Sequence, residues 1–108
     1  MKGRKMASKS RDPLSPIHPG EILKTEFMEP HGLSANRLGL ALGVPANRIT
    51  QIIREQRGIS ADTALRLSKA FGTSPQLWLN LQTAYDLEVA TQEVGADIEQ
   101  SVRTIAAE

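Results

Sequence analysis

The stretch that decides the fold is Ser34–Gly58, SANRLGLALGVPANRITQIIREQRG. Gly43 sits between two helix-sized segments, where a residue free to take a positive φ ends one helix and turns the chain into the next. Gly39, four residues earlier, has no side chain to hold the second helix away. Leu38, Leu42, Val44, Ile49 and Ile52 are the apolar positions, spaced so that two short helices pin each other at a steep angle. That combination predicts a helix-turn-helix, whose second helix enters the major groove of DNA with its first turns facing base edges.

With Ile49 and Ile52 turned inward, Ala46, Asn47, Thr50, Gln51 and Arg54 face outward, with Arg48 and Arg57 at the flanks. Those residue types suit base edges: Asn and Gln pair bidentately with adenine, Arg with guanine, and the methyls of Ala46 and Thr50 can meet thymine methyls. Residues 45–57 hold three arginines against Glu55 alone, so this face is positive. Pro45 opens the second helix, and Ser34, Ala35 and Asn36 open the first, where backbone N–H groups commonly meet a phosphate. The plain alternatives are a soluble polar helix face and an ordinary N-cap.

Outward from the motif, the punctuation repeats. Gly32, Gly43, Gly58 and Gly72 mark helix ends, and Ser34, Pro45, Ser60 and Ser74–Pro75 mark the starts that follow. No segment alternates with the period of a strand. The expectation is an all-α fold with five helices, over residues 20–29, 34–42, 45–57, 60–71 and 74–91, and a sixth near 93–106. Ile22, Leu23 and Phe27 line the first helix, and Pro30 should stop it because the residue before a proline resists the helical region. The fourth should bury Ala61, Ala64, Leu65, Leu67 and Phe71. In the fifth, Leu77, Leu81 and Ala84 can enter the core while Trp78, Tyr85 and Val89 point elsewhere. A helix with two apolar faces usually has two partners. Trp78, Leu81, Tyr85 and Val89 are accordingly the candidate seam with a second copy, with Trp78 open to either core or seam. Val94, Ile98, Val102 and Ile105 draw a further stripe on an acidic tail helix.

Composition agrees with a small helical module. The chain has 108 residues, 40% of them apolar and 4% aromatic, with no cysteine and a net charge of +1. One core of Leu, Ile, Val and Ala fits that length. The missing cysteines exclude disulfides and thiolate metal sites. No apolar run reaches the roughly 18 residues of a spanning helix, and residues 1–16 lack the apolar core of a secretory signal, so a cytoplasmic protein is expected.

The small net charge conceals three segments. Residues 1–11 carry Lys2, Arg4, Lys5, Lys9 and Arg11 and no acid. Residues 86–108 set Asp86, Glu88, Glu93, Asp97, Glu99 and Glu108 against Arg103 alone. The chain thus divides into a basic arm (1–16), the helix-turn-helix domain (17–91) and an acidic amphipathic tail (92–108). The arm is either a phosphate-seeking tail or a solvated terminus.

No residues carry enzymatic chemistry. His18 and His31 flank the first helix without the three or four convergent ligands that zinc needs; His18 reads as a turn-stabilising residue and His31 as a helix-end residue. Glu26 and Glu29 are a carboxylate pair without a pocket. Ser34, Ser60 and Ser74 all have capping explanations, and neither a nucleophile elbow nor a phosphate-binding loop is present. No catalytic residue, metal or cofactor is expected.

The blocks HPGEIL (18–23), LGVPANRI (42–49), RGISADTALRL (57–67) and WLNLQTAYDL (78–87), in this order, resemble the HigA antitoxins of type II toxin–antitoxin modules. These belong to the Xre, or lambda-repressor-like, helix-turn-helix proteins, and the resemblance covers about residues 17–91. It implies a homodimer that binds palindromic operator DNA, represses its own operon and neutralises a HigB-type, mRNA-cleaving toxin. By position it makes Ala46, Asn47, Arg48, Thr50 and Gln51 the base-facing set. It assigns no role to residues 1–16 or 92–108. The contrasting expectation is a solitary Xre-type regulator, or a protein-interaction module that keeps the motif for packing alone.

Overall fold

The computed structural model describes residues 15–105, so residues 1–14 of the basic arm (1–16), its five cations included, lie outside them. The described residues form helices and no strand: α1 (Pro19–Ile22), continued by a π-helical segment (Leu23–Met28), then α2 (Ala35–Leu42), α3 (Ala46–Ile53), α4 (Ala61–Phe71) and α5 (Pro75–Ser101). The all-α helix-turn-helix architecture is the expected one, and several boundaries are not.

Local signals account for most starts. The hydroxyls of Ser34, Ser60 and Ser74 accept from the backbone N–H groups of Arg37, Thr63 and Leu77 at 3.1, 3.2 and 3.1 Å. Each satisfies a donor that the first helical turn leaves unpaired. At α1 the cap is His18, whose Nδ1 accepts from Gly20 N–H at 2.9 Å, with Pro19 preset for the first helical position. Gly43 ends α2 with φ +73°, as its place in the motif requires.

Two helix ends depart from expectation. The first helix does end before Pro30, its π-helical segment closing at Met28, although Glu29 keeps helical angles (φ −62°, ψ −45°) and the chain reverses at Gly32, φ +61°. The second helix of the motif stops at Ile53, not at residue 57. Its closing turn places Glu55 in the left-handed region (φ 63°), with Gln56 N–H donating to Gln51 O at 2.8 Å and Glu55 N–H to Ile52 O at 3.0 Å. This is the bonding of a Schellman close with a glutamate where glycine is usual. The separate sixth helix does not form either: residues 75–101 are one unbroken helix. Gly95 alone costs only about 1 kcal/mol in a helix interior and does not break it.

The core gathers Leu23, Met28, Leu38, Leu42, Ile49, Ile52, Ile59, Ala64, Leu67 and Trp78. Trp78 is fully buried, its ring 4.8 Å from Phe27 and its indole N–H donating to Thr73 Oγ1 at 2.8 Å. The indole therefore has no surface left for a second chain, which corrects its place in the candidate seam. The phase of α5 is turned accordingly. Trp78, Leu81 and Tyr85 lie toward the domain, whereas Leu77, Ala84 and Leu87 lie toward solvent. On α4, Thr63 is buried while Ala61 and Leu65 are exposed, Leu65 by 60%.

A 27-residue helix is about 40 Å long. The domain covers only its first part, so residues 86–101 project, and the radius of gyration is 17.0 Å against about 13 Å for a compact chain of this size.

Candidate nucleic-acid interface

Two glycines fix α3 at its two ends. A Cβ on Gly39 would come within 2.9 Å of Val44 O and 3.2 Å of Ala46 Cα, so α2 and the start of α3 can meet only because that side chain is absent. A Cβ on Gly20 would coincide with the Ile52 carbonyl, so α1 lies flush against the last turn of α3. Ile49 and Ile52, both fully buried, hold the inner face of α3 between them.

The opposite face of α3 is polar. Asn47 and Arg54 are exposed, as are Pro45 before the helix and Arg57 after it. Ala46, Arg48, Thr50 and Gln51 are half-buried. Thr50 Oγ1 donates to Ala46 O at 3.3 Å. At the opening of α2, Ser34 and Asn36 are exposed and Ala35 is half-buried, with the Ser34 hydroxyl occupied in capping. The predicted residues thus lie on the outer side of α3 and at the entry of α2. Of the candidate seam, Trp78 is in the core, Tyr85 packs edge-on against His18 with ring centroids 4.8 Å apart, and Leu81 and Val89 are half-buried.

Sequence reasoning passed over two residues that shape this surface. Asp62, at the start of α4, accepts from Arg66 Nε at 2.7 Å and from Arg48 Nη1 at 3.1 Å. The two guanidinium groups, Arg66 first, hold the Asp62 carboxyl below the usual carboxylate range. The Asp62–Arg66 spacing of four was a legible helix pair; the bond to Arg48, fourteen residues away, had no local signal. Gln82, on α5, accepts from Ile59 N–H at 2.6 Å and donates to Asp86 at 3.0 Å, pinning the chain between α3 and α4.

Both histidines have structural partners. His18 is 3% exposed, and burial pushes its pKa below the ordinary 6.5 against the opposing pull of Glu55 and Asp86. His31 Nδ1 lies 2.7 Å from Phe27 O. Among the described residues no group of three or more His, Cys, Asp or Glu could hold a metal ion, and no helix is long and apolar enough to cross a membrane.

Residues 25–78 match the family described as "Helix-turn-helix" (HTH_3). The chain is 61% identical over 77 residues to virulence-associated protein I of Dichelobacter nodosus, covering 71% of each. It also superposes on solved antitoxins. One is antitoxin GraA in complex with its operator: TM-score 0.82, 48% identity, 95% of this chain and 100% of that one. Another is the Pseudomonas aeruginosa antitoxin HigA with the higBA promoter: TM-score 0.82, 47% identity, 84% of this chain and 99% of that one. Since motif, fold and relatives agree across most of the chain, this protein belongs to the HigA antitoxins, DNA-binding helix-turn-helix proteins of the Xre type and not enzymes.

Proposed function

We propose that this protein binds palindromic operator DNA as a homodimer in the cytoplasm, represses its own operon and neutralises a HigB-type mRNA-cleaving toxin. The observation that carries the DNA-binding part is the outer side of α3, where exposed Asn47, Arg54 and Arg57 flank half-buried Thr50 and Gln51 on a helix locked by Gly20 and Gly39. Amide and guanidinium groups at the front of a helix held this rigidly can meet base edges while neighbouring cations meet phosphates. The relatives seen with operator or promoter DNA support the same reading.

The homodimer is supported by the outward face of α5. Leu77, Ala84, Thr91 and Ile98 recur every seven residues, apolar except for Thr91, with Leu87 and Val94 between them; Leu87 and Ile98 are 63% and 50% exposed. A largely apolar repeat at that period forms a seam between paired helices. This stripe, rather than Trp78, Leu81, Tyr85 and Val89, is the seam of the proposed homodimer. A single motif reads few base pairs, and a dimer gains specificity by reading two half-sites about one helical turn apart.

The test is a gel-shift titration of the full chain on the duplex upstream of its own gene, with a random-sequence duplex as control. Salt-sensitive binding that prefers the upstream duplex is expected; equal binding to both, or none, would overturn the repressor reading. Copurification with the product of the neighbouring gene, and loss of that product's RNA cleavage in the complex, tests the antitoxin part.

A further inference from the structure

Through one carboxylate oxygen Asp62 joins α3 to α4, and Arg66 extends the link to α2. Asp62 Oδ1 accepts from Arg48 on α3 at 3.1 Å and from Arg66 on α4 at 2.7 Å. Arg66 in turn donates from Nη1 to the carbonyl of Leu42, the last residue of α2, at 2.8 Å. The Asp62 side chain is more than half exposed and that of Arg48 about a quarter, so these pairs add little to stability. What they fix is direction. Arg48 stands in the first half of α3 between Asn47 and Ile49, where a loose guanidinium would sweep the groove and take any phosphate within reach.

We propose that Asp62 is a positioning residue for DNA recognition: it draws Arg48 sideways onto α4, leaving Asn47 and Gln51 to meet the bases. Indiscriminate affinity comes from cations that exchange counterions for phosphates. A carboxylate already bonded to Arg48 competes with phosphate for the same guanidinium, and so subtracts from binding to every sequence. On the operator, where the register is set by base contacts, the same restraint presents Arg48 in one orientation. Asp62 therefore raises the preference for operator over random DNA by weakening the second. Arg66 carries the restraint back to α2, so that the turn of the motif and the direction of Arg48 are set together. Held below the usual carboxylate range by its two arginines, Asp62 remains charged at neutral pH.

The inference rests on the DNA-binding reading above, and one experiment separates the two. The full-length wild type, Asp62→Asn, Asp62→Glu and the double variant Asp62→Asn/Arg48→Ala are titrated against the upstream duplex and a random-sequence duplex from low to moderate salt. Asp62→Asn is expected to bind random DNA several-fold more tightly at low salt, with a log–log salt slope steeper by about 0.9 for each protomer engaged. Its operator-to-random ratio should fall. Arg48→Ala in that background should remove the gain, and Asp62→Glu should restore the wild-type slope. A change in fold stability alone would move neither the slope nor the ratio in this pattern. If the wild type prefers its upstream duplex while Asp62→Asn keeps its slope and ratio, the positioning role is overturned. If the wild type shows no preference, the DNA-binding reading fails instead.

Discussion

Gly20 and Ile52 meet backbone to backbone: the position a Cβ on Gly20 would take is occupied by the Ile52 carbonyl. Through that contact α1 buttresses the end of α3, and the angle of α3 depends on a residue 32 positions earlier in the chain. Gly20→Ala must push α3 outward or unwind α1. The expected cost is about 1–3 kcal/mol in urea unfolding, the usual range for forcing atoms into a packed site. Operator affinity should fall further than stability explains. Unchanged unfolding midpoint and affinity would mean that the two elements give way easily.

Trp78 closes the core between Phe27 and Thr73. Trp78→Ala should lose roughly 3–5 kcal/mol, as large-to-small changes at fully buried aromatics do. Sedimentation distinguishes this from an interface role: at a temperature where the variant is still folded, its mass should equal that of the wild type.

Burial holds the folded pKa of His18 below 6.5, its ordinary value. The folded protein then resists protonation more than the unfolded chain does, so the His18 contribution is complete above about pH 6.5 and is lost as pH falls through the folded pKa. Glu55 and Asp86 oppose this shift without cancelling it. Thermal melts at pH 7.5 and 5.5 should show a larger drop for the wild type than for His18→Asn, which can still cap Gly20 but cannot ionise. His31 is present in both proteins and cancels in the comparison. Equal drops would remove His18 as the cause.

The outward stripe of α5 is separable from the fold because its residues are exposed. Leu87→Asp with Ile98→Asp should convert a dimer to a monomer by sedimentation, while the helical spectrum and melting temperature extrapolated to low concentration stay close to wild type. A dimer that survives both charges would place the seam elsewhere.

On the recognition face, Asn47→Ala or Gln51→Ala should cost about 1–3 kcal/mol at particular operator positions. Arg54→Ala or Arg57→Ala should instead weaken all sequences and flatten the salt slope by about 0.9 for each protomer engaged. Deleting residues 1–11, which hold five cations, should flatten it more if the arm follows the phosphate backbone.

Much of this protein follows from its sequence because the deciding signals are local. A serine hydroxyl reaches an N–H three residues on, and Gly43 takes a conformation that side chains resist, so Ser34, Gly43, Ser60 and Ser74 mark helix boundaries in any context. The apolar spacing within 34–58 likewise leaves two helices one way to bury Ile49 and Ile52. Where the reading failed, the deciding contact was distant. Glu55 closes α3 in a backbone state that the sequence would assign to Gly58, because the chain must turn there for Ile59 to enter the core and meet Gln82. The face that α5 buries was set by the space beside Phe27, which admits Trp78 and leaves Leu77 and Leu87 outside. The bond between Arg48 and Asp62 exists only because the fold brings the start of α4 beside the first half of α3. Sequence alone determined where the helices begin and which two form the motif, since those choices depend on a few adjacent residues. Tertiary packing decided which way α5 faces and where Arg48 points, since those depend on neighbours that only the folded chain brings together.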